Sequence, residues 1–277
     1  MPYWLFEIVH LALRWLHVVA AIFWLGQTAL FTWMEARLRV ERDERGAELW
    51  MVHGGGFYRL EKLPWQVPPR ALHWFQWEAA LTWGSGLLLL GWVYHGGRIL
   101  VPPDSRLGSW VDIVLAIGSL LAAWIVYDLV WLSPLGRRPR AAAALCLALL
   151  AAFAWGLGQV FTGRAAFLLA GAAMGTIMAA NVGSRILPAM RRAVAAVEAG
   201  RPLEGRLAAG VARAGARSRH NTYMAIPVVL TMISNHYPMT TYGHRWSWAL
   251  LVGWVLVGFA VRSLIDRHER KPARSGK

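Results

Sequence analysis

Histidine is the residue type whose placement in this sequence points to chemistry, because several imidazoles fall within long apolar stretches. Such histidines open or interrupt the first, second and sixth apolar stretches of the chain. An ionisable side chain in hydrocarbon is costly and marks a functional site by default. Imidazoles that bind one iron between helices offset this cost, because one ring nitrogen binds the metal and the other forms a hydrogen bond. The pattern predicts one or two b haems. Their iron ligands are expected from a set of four: His17, His73, His220 and His236.

Four further residues are candidates for the same site. His53 precedes three glycines, which would let the backbone approach a cofactor closely. Glu78 lies near the start of the second apolar stretch, and Asn181 and Arg185 lie one helical turn apart on the fifth. These last three are candidates for catalysis, as groups that orient a ligand or carry protons. The simpler alternative for each histidine is a hydrogen bond to a neighbouring helix.

The elements that must position these residues are apolar helices. The chain has 277 residues, of which 57% are hydrophobic and only 16% charged. About 20 apolar residues cross a bilayer core as a helix, and seven such runs are present: 5–33, 72–94, 110–132, 141–161, 165–187, 218–236 and 246–264. This excludes a soluble enzyme and an all-β barrel. The single cysteine, Cys146, excludes a disulfide framework, a cysteine-rich zinc site and an attached c-type haem.

Basic residues alternate between the connections. The odd-numbered connections and the C-terminal tail hold 22 of them, and the even-numbered connections hold 4. Because positive residues stay in the cytoplasm, the fold class is an all-α polytopic membrane bundle of about seven helices, with the N-terminus outside and the C-terminus inside. Residues 1–266 form a single transmembrane domain, and 267–277 a basic cytoplasmic tail. The net charge of +14 therefore reports topology, and the expected partner is a lipid bilayer with no nucleic acid.

Two cytoplasmic loops are predicted, at residues 35–70 and 189–217. The first begins as a continuation of the first helix. Its later part, 54–69, is apolar enough to lie on the membrane face or re-enter it. The second loop is expected to form an amphipathic helix, a turn near residues 200–202 and a second helix. Gly171 and Gly175 form a GxxxG pattern, which predicts a close helix–helix contact.

Several strings of this sequence resemble the membrane part of the bacterial membrane-bound urate oxidase (urate hydroxylase) family. The first is WLHVVAAIFWLG around His17, and the others include LHWFQWEA around His73. The resemblance runs from about residue 12 to residue 240, through segments 15–26, 52–58, 72–79, 161–167, 175–182, 220–223 and 232–238. The first string also resembles, more weakly, the haem-binding membrane protoporphyrinogen oxidases of bacteria.

The resemblance implies a haem-containing oxidoreductase of the bacterial inner membrane that oxidises urate or a related small reductant. Described members of the family carry an eighth helix and a C-terminal c-type cytochrome. This sequence is expected to lack both, so its electrons would pass to a separate c-type cytochrome or another acceptor.

Two alternatives of other classes remain open. One is a membrane cytochrome b subunit that has no enzymatic activity of its own and serves a larger electron-transfer complex. The other is an anion transporter, whose buried polar residues would line a path. A purified protein with a haem spectrum supports either of the first two functions, whereas a colourless one favours transport.

Overall fold

The computed structural model describes residues 2–40, 42–43, 46–65, 71–108 and 110–270, and these are mostly helical. Helix α1 is Tyr3–Val40, and α2 is Trp77–Leu89 with a π-helical turn, Leu90–His95, at its end. Next come α3, Val111–Leu132, and α4, Pro139–Val160. Helix α5, Gly163–Ala180, continues through a π-helical segment, Asn181–Ile186, into α6, Leu187–Glu198. The last two are α7, Gly205–Ile233, and α8, Ser247–Glu269.

Five of these helical segments are long and apolar enough to cross a membrane. They are Tyr3–Leu38, Val111–Leu132, Pro139–Val160, Gly163–Glu198 and Ser247–Glu269. Their outer faces expose large apolar side chains, such as Ile22 and Val114, and are therefore compatible with lipid contact. The second and sixth predicted spans fall on α2 and α7. Their crossing of the membrane, and the orientation of the whole bundle, remain predictions.

Helix α5 occupies the centre of the bundle. In its most apolar 18-residue stretch, 67% is buried inside the structure, whereas in the corresponding stretch of α1 only 6% is buried. Small residues make this possible, because they let neighbouring backbones approach closely. A Cβ on Gly171 would overlap the Thr231 side chain of α7, whereas one on Gly175 would meet nothing within 4 Å. The close contact predicted by the glycine pattern is therefore made at Gly171 alone.

The first predicted loop contains a small β-sheet that was not predicted, and its position on the membrane face stays a prediction. Strands β1, Arg42–Asp43, β2, Gly46–His53, and β3, Gly56–Glu61, pair antiparallel in that order. His53 pairs with Gly56, which leaves Gly54 and Gly55 as a two-residue turn with φ of +58° and +81°. Glycine adopts these angles freely, and they suit the twist of a hairpin. Within the described residues, the fold is thus a helical bundle with one small sheet.

The sheet packs on the end of α1. With 38 residues, α1 is about 57 Å long, nearly twice the thickness of a hydrocarbon core. The predicted continuation of the first helix is confirmed, and its last turns bring Met34 and Leu38 against Leu49 of β2. Residues 66–70 of the predicted loop lie outside the described residues.

The second predicted loop is confirmed as helix, turn and helix. Helix α6 ends at Glu198, and Gly200 takes a positive φ of +67° in the turn. The helix after the turn is α7, which runs without interruption into the sixth apolar stretch and contains Pro227. Residues 271–277 of the predicted tail lie outside the described part of the chain.

Candidate functional site

His17 is held by the face of α2 that packs on α1. Its Nδ1 lies 2.9 Å from the carbonyl oxygen of Thr82 and 3.1 Å from Oγ of Ser85. A carbonyl can only accept, so the ring hydrogen is on Nδ1 and the lone pair is on Nε2. Metal-binding imidazoles commonly donate their second ring nitrogen to a backbone carbonyl in this way, which fixes tautomer and orientation. His17 therefore has the hydrogen bonding of an iron ligand.

A glycine makes room for this imidazole. A Cβ on Gly86 would lie 3.1 Å from Cε1 of His17. Thr82, Ser85 and Gly86 share one face of α2, because residues three and four apart are neighbours on a helix. This face supplies two acceptors and a gap for the ring. The same pair of helices joins Gln27 to Glu78, with Nε2 of Gln27 donating to Oε1 of Glu78 at 3.2 Å.

His220 belongs to a second polar group, formed by α3, α5 and α7. Its Nδ1 is 2.7 Å from the hydroxyl oxygen of Tyr127, and its ring centroid is 4.1 Å from that of Trp131. Nδ2 of Asn181 donates to the same hydroxyl oxygen at 3.3 Å. The tyrosine hydroxyl can donate its proton to His220 Nδ1, which would place the imidazole hydrogen on Nε2 and leave no ring lone pair for iron. Binding of iron at His220 requires the other tautomer and stays a prediction from the sequence.

The orientation of the Asn181 amide is fixed by its neighbour. Nδ2 of Asn221 donates to the carbonyl oxygen of Met178 at 2.9 Å, so Oδ1 of Asn221 faces Asn181. Nδ2 of Asn181 donates to this oxygen at 2.9 Å. Oδ1 of Asn181 is buried and has no partner among the described residues. This unpaired atom is a carbonyl-type acceptor rather than an ambiguously assigned nitrogen.

A buried carboxylate and two guanidinium groups complete this second group. Asp128 binds Arg185, and Nη2 of Arg217 lies 2.8 Å from its Oδ1. The Arg217 guanidinium carbon lies 4.8 Å from the centroid of the Tyr127 ring. Two cations and one anion leave one positive charge in excess. We call this group the Tyr127 cluster; it consists of Tyr127, Asp128, Trp131, Asn181, Arg185, Arg217, His220 and Asn221.

The backbone of α5 changes form at the cluster. The π-helical segment begins at Asn181 and contains Arg185, and single π-helical turns occur frequently at functional sites. Asn181 and Arg185 bind consecutive residues of α3, Tyr127 and Asp128. The structure thus brings these two candidates together with His220. The roles of Tyr127 and Arg217 were not predicted.

The other predicted histidines lie outside the bundle interior. His73 precedes α2, which begins at Trp77 rather than near residue 72, and its exposed ring packs edge-on against Phe75 at 4.6 Å. His236 is exposed in a short 3₁₀ turn after α7, and His53 is exposed at the end of β2. Iron binding at these three remains a prediction from the sequence alone. No three His, Cys, Asp or Glu side chains in the described ranges group closely enough to hold a bare metal ion.

One family model matches the chain, over residues 3–275, and its description is Urate oxidase N-terminal. No curated protein and no solved structure matches the sequence.

Proposed function

Because the chain belongs to the urate oxidase N-terminal family, we propose that it is a membrane oxidoreductase that uses haem b to oxidise urate or a related small reductant. The observation that carries the haem assignment is the hydrogen bonding of His17. Its Nδ1 donates to the Thr82 carbonyl, and its Nε2 retains the lone pair that iron requires. The haem, when bound, supplies a carrier for single electrons.

The residues around His17 fit an axial ligand. Thr82 and Ser85 hold the ring in one orientation, and Gly86 allows α2 to pass close to it. His220 has its Nδ1 bonded to Tyr127, so we assign it to the substrate side of the chemistry. The hydrogen bonds therefore support one haem, bound at His17, best. We propose one haem where the sequence left one or two open.

Oxidation of urate releases electrons and a proton, so the interior also needs a proton acceptor. Glu78 is a carboxylate on the same pair of helices as His17, and Gln27 holds it through one oxygen. Its other oxygen can accept a proton. We assign Glu78 this role, and we assign Asn181 and Arg185 to the binding of the reductant.

The electrons leave to a separate c-type cytochrome or another acceptor, and the protein works in the bacterial inner membrane. The five apolar helices support a location in a lipid bilayer. The buried excess of positive charge at Asp128, Arg185 and Arg217 also supports a second candidate function, the transport of an anion.

Anaerobic addition of urate to the purified protein tests the proposal. We expect the haem bands to shift to their reduced positions, as they do with dithionite, and to return when oxidised c-type cytochrome is added. Allantoin, which is further oxidised than urate, serves as the control and should leave the spectrum unchanged. A haem that dithionite reduces but urate does not would point to the cytochrome subunit. A colourless, correctly folded protein would favour the transporter.

A further inference from the structure

The Tyr127 cluster contains buried polar atoms that the protein itself leaves unpaired. Asn181 is 0% exposed and Arg217 is 6% exposed. Oδ1 of Asn181 and Nη1 of Arg217 have no hydrogen-bond partner in the described part of the chain. Buried polar atoms are almost always paired, so two exceptions around one tyrosine require an explanation. A ligand that pairs them is one.

The net charge of the cluster indicates the sign of the charge that the ligand carries. Asp128 is shared by Arg185 and Arg217, which leaves one positive charge without a carboxylate. The other carboxylates that α8 places beside α7 are Asp266 and Glu269, and both bind Arg262. A buried charge is expected to be paired. The cluster therefore matches a monoanion.

The unpaired atoms specify the ligand's hydrogen bonds. Nη1 of Arg217 is a donor, so the ligand must present an acceptor to it. Oδ1 of Asn181 is an acceptor, and the Asn221–Met178 hydrogen bond fixes it in that role. The ligand must therefore also carry an N–H or O–H donor. A simple carboxylate meets the first requirement and fails the second.

The surroundings specify the ligand's shape and its way in. The rings of Tyr127, Trp131 and His220 lie within 6.4 Å of one another, centroid to centroid, and are tilted by 45–84°. An aromatic surrounding favours a flat ring, which can stack on one of these side chains or meet the edge of another. The Arg185 side chain is 37% exposed, so the cluster reaches the surface of the bundle at that residue.

We infer that the Tyr127 cluster is the binding site for a planar heterocyclic monoanion that carries a ring N–H, the class to which urate belongs. The inference rests on the proposed function only in the choice of urate as the probe. A propionate group of a haem shares the negative charge, but it has no N–H and would leave Oδ1 of Asn181 unpaired.

Ligand-dependent thermal stability of the purified wild-type chain tests the inference without any redox step. Urate is expected to raise the unfolding temperature. Nicotinate, a planar anion without a donor hydrogen, should bind at least about tenfold more weakly, because it leaves the buried Asn181 acceptor unpaired. Fully N-methylated urate, which has neither the charge nor an N–H, should give no shift. No protection by urate, or equal protection by urate and nicotinate, would overturn the inference.

A variant locates the site. Arg217→Met removes the excess charge and the unpaired Nη1 while Asp128 keeps Arg185, so the protein without ligand should be at least as stable as wild type. Urate protection should disappear and the haem content should not change. The matched control is Arg191→Met, which removes a surface arginine bonded to Gln76 and should keep full protection. Urate protection that persists in Arg217→Met would refute the site. Urate that binds at this site but does not reduce the haem would instead refute the proposed function.

Discussion

His17→Ala is expected to remove most of the haem from the purified protein, whereas His220→Ala is expected to leave the haem content unchanged. The two imidazoles are both inside the bundle, but their hydrogen bonds differ. The carbonyl oxygen of Thr82 forces the hydrogen of His17 onto Nδ1, whereas Nδ1 of His220 faces the hydroxyl of Tyr127, to which we assign the donor role. Only His17 then offers a ring lone pair to iron.

Pyridine haemochrome per polypeptide is the measurement for this pair. We expect a loss of more than about tenfold in His17→Ala, since even the groups that orient a metal ligand change affinity by about 10–100-fold. Two alanine substitutions on α2 test whether the space around the His17 ring is needed for haem binding. Gly86→Ala places a methyl group against the His17 ring and should lower the haem content, whereas Gly84→Ala meets nothing within 4 Å and should not. Retention of full haem by His17→Ala would show that the ligand assignment is wrong.

Asp128→Asn is expected to destabilise the protein more than Asp266→Asn does. The substitution leaves Arg185 and the buried Arg217 without a counter-ion. Breaking a buried ion pair by removing one partner typically costs about 3–5 kcal/mol. Because whole proteins are stabilised by about 5–15 kcal/mol, the fraction of protein that remains monodisperse in detergent should fall sharply.

Asp266→Asn is the matched control for Asp128→Asn. Its partner, Arg262, is as buried as Arg217 but also binds Glu269, so one carboxylate remains after the substitution. We therefore expect Asp266→Asn to lower the unfolding temperature less than Asp128→Asn does. Adding Arg217→Met to Asp128→Asn should restore part of the lost stability, since the buried cation is then absent. Equal losses in the two single variants would contradict the ion-pair explanation.

The helices could be predicted from the sequence because their signal is local. Apolar runs of about 20 residues mark the spans, and Gly200 and Pro202 mark the turn between α6 and α7. The β2–β3 hairpin was missed although its signal was present. Two adjacent glycines between alternating apolar residues favour a two-residue hairpin turn, but the same glycines also suit a close approach of the backbone to a cofactor.

The candidate site could be predicted only in part, because cross-helix contacts have no local signal. Asn181, Arg185 and His220 are conspicuous as polar residues in apolar runs. Thr82 and Gly86, in contrast, look like any small residue of a membrane helix, and their meeting with His17 depends on how α2 packs on α1. The tautomer of each histidine depends on the same packing, so the sequence could not separate His17 from His220.

The haem content of the wild-type chain, purified from cells supplied with haem precursor, decides whether this protein binds haem b. We predict one haem b for each polypeptide, measured as pyridine haemochrome against the protein concentration. A monodisperse, folded preparation without haem would contradict it, because His17 would then be explained fully by its hydrogen bonds to α2.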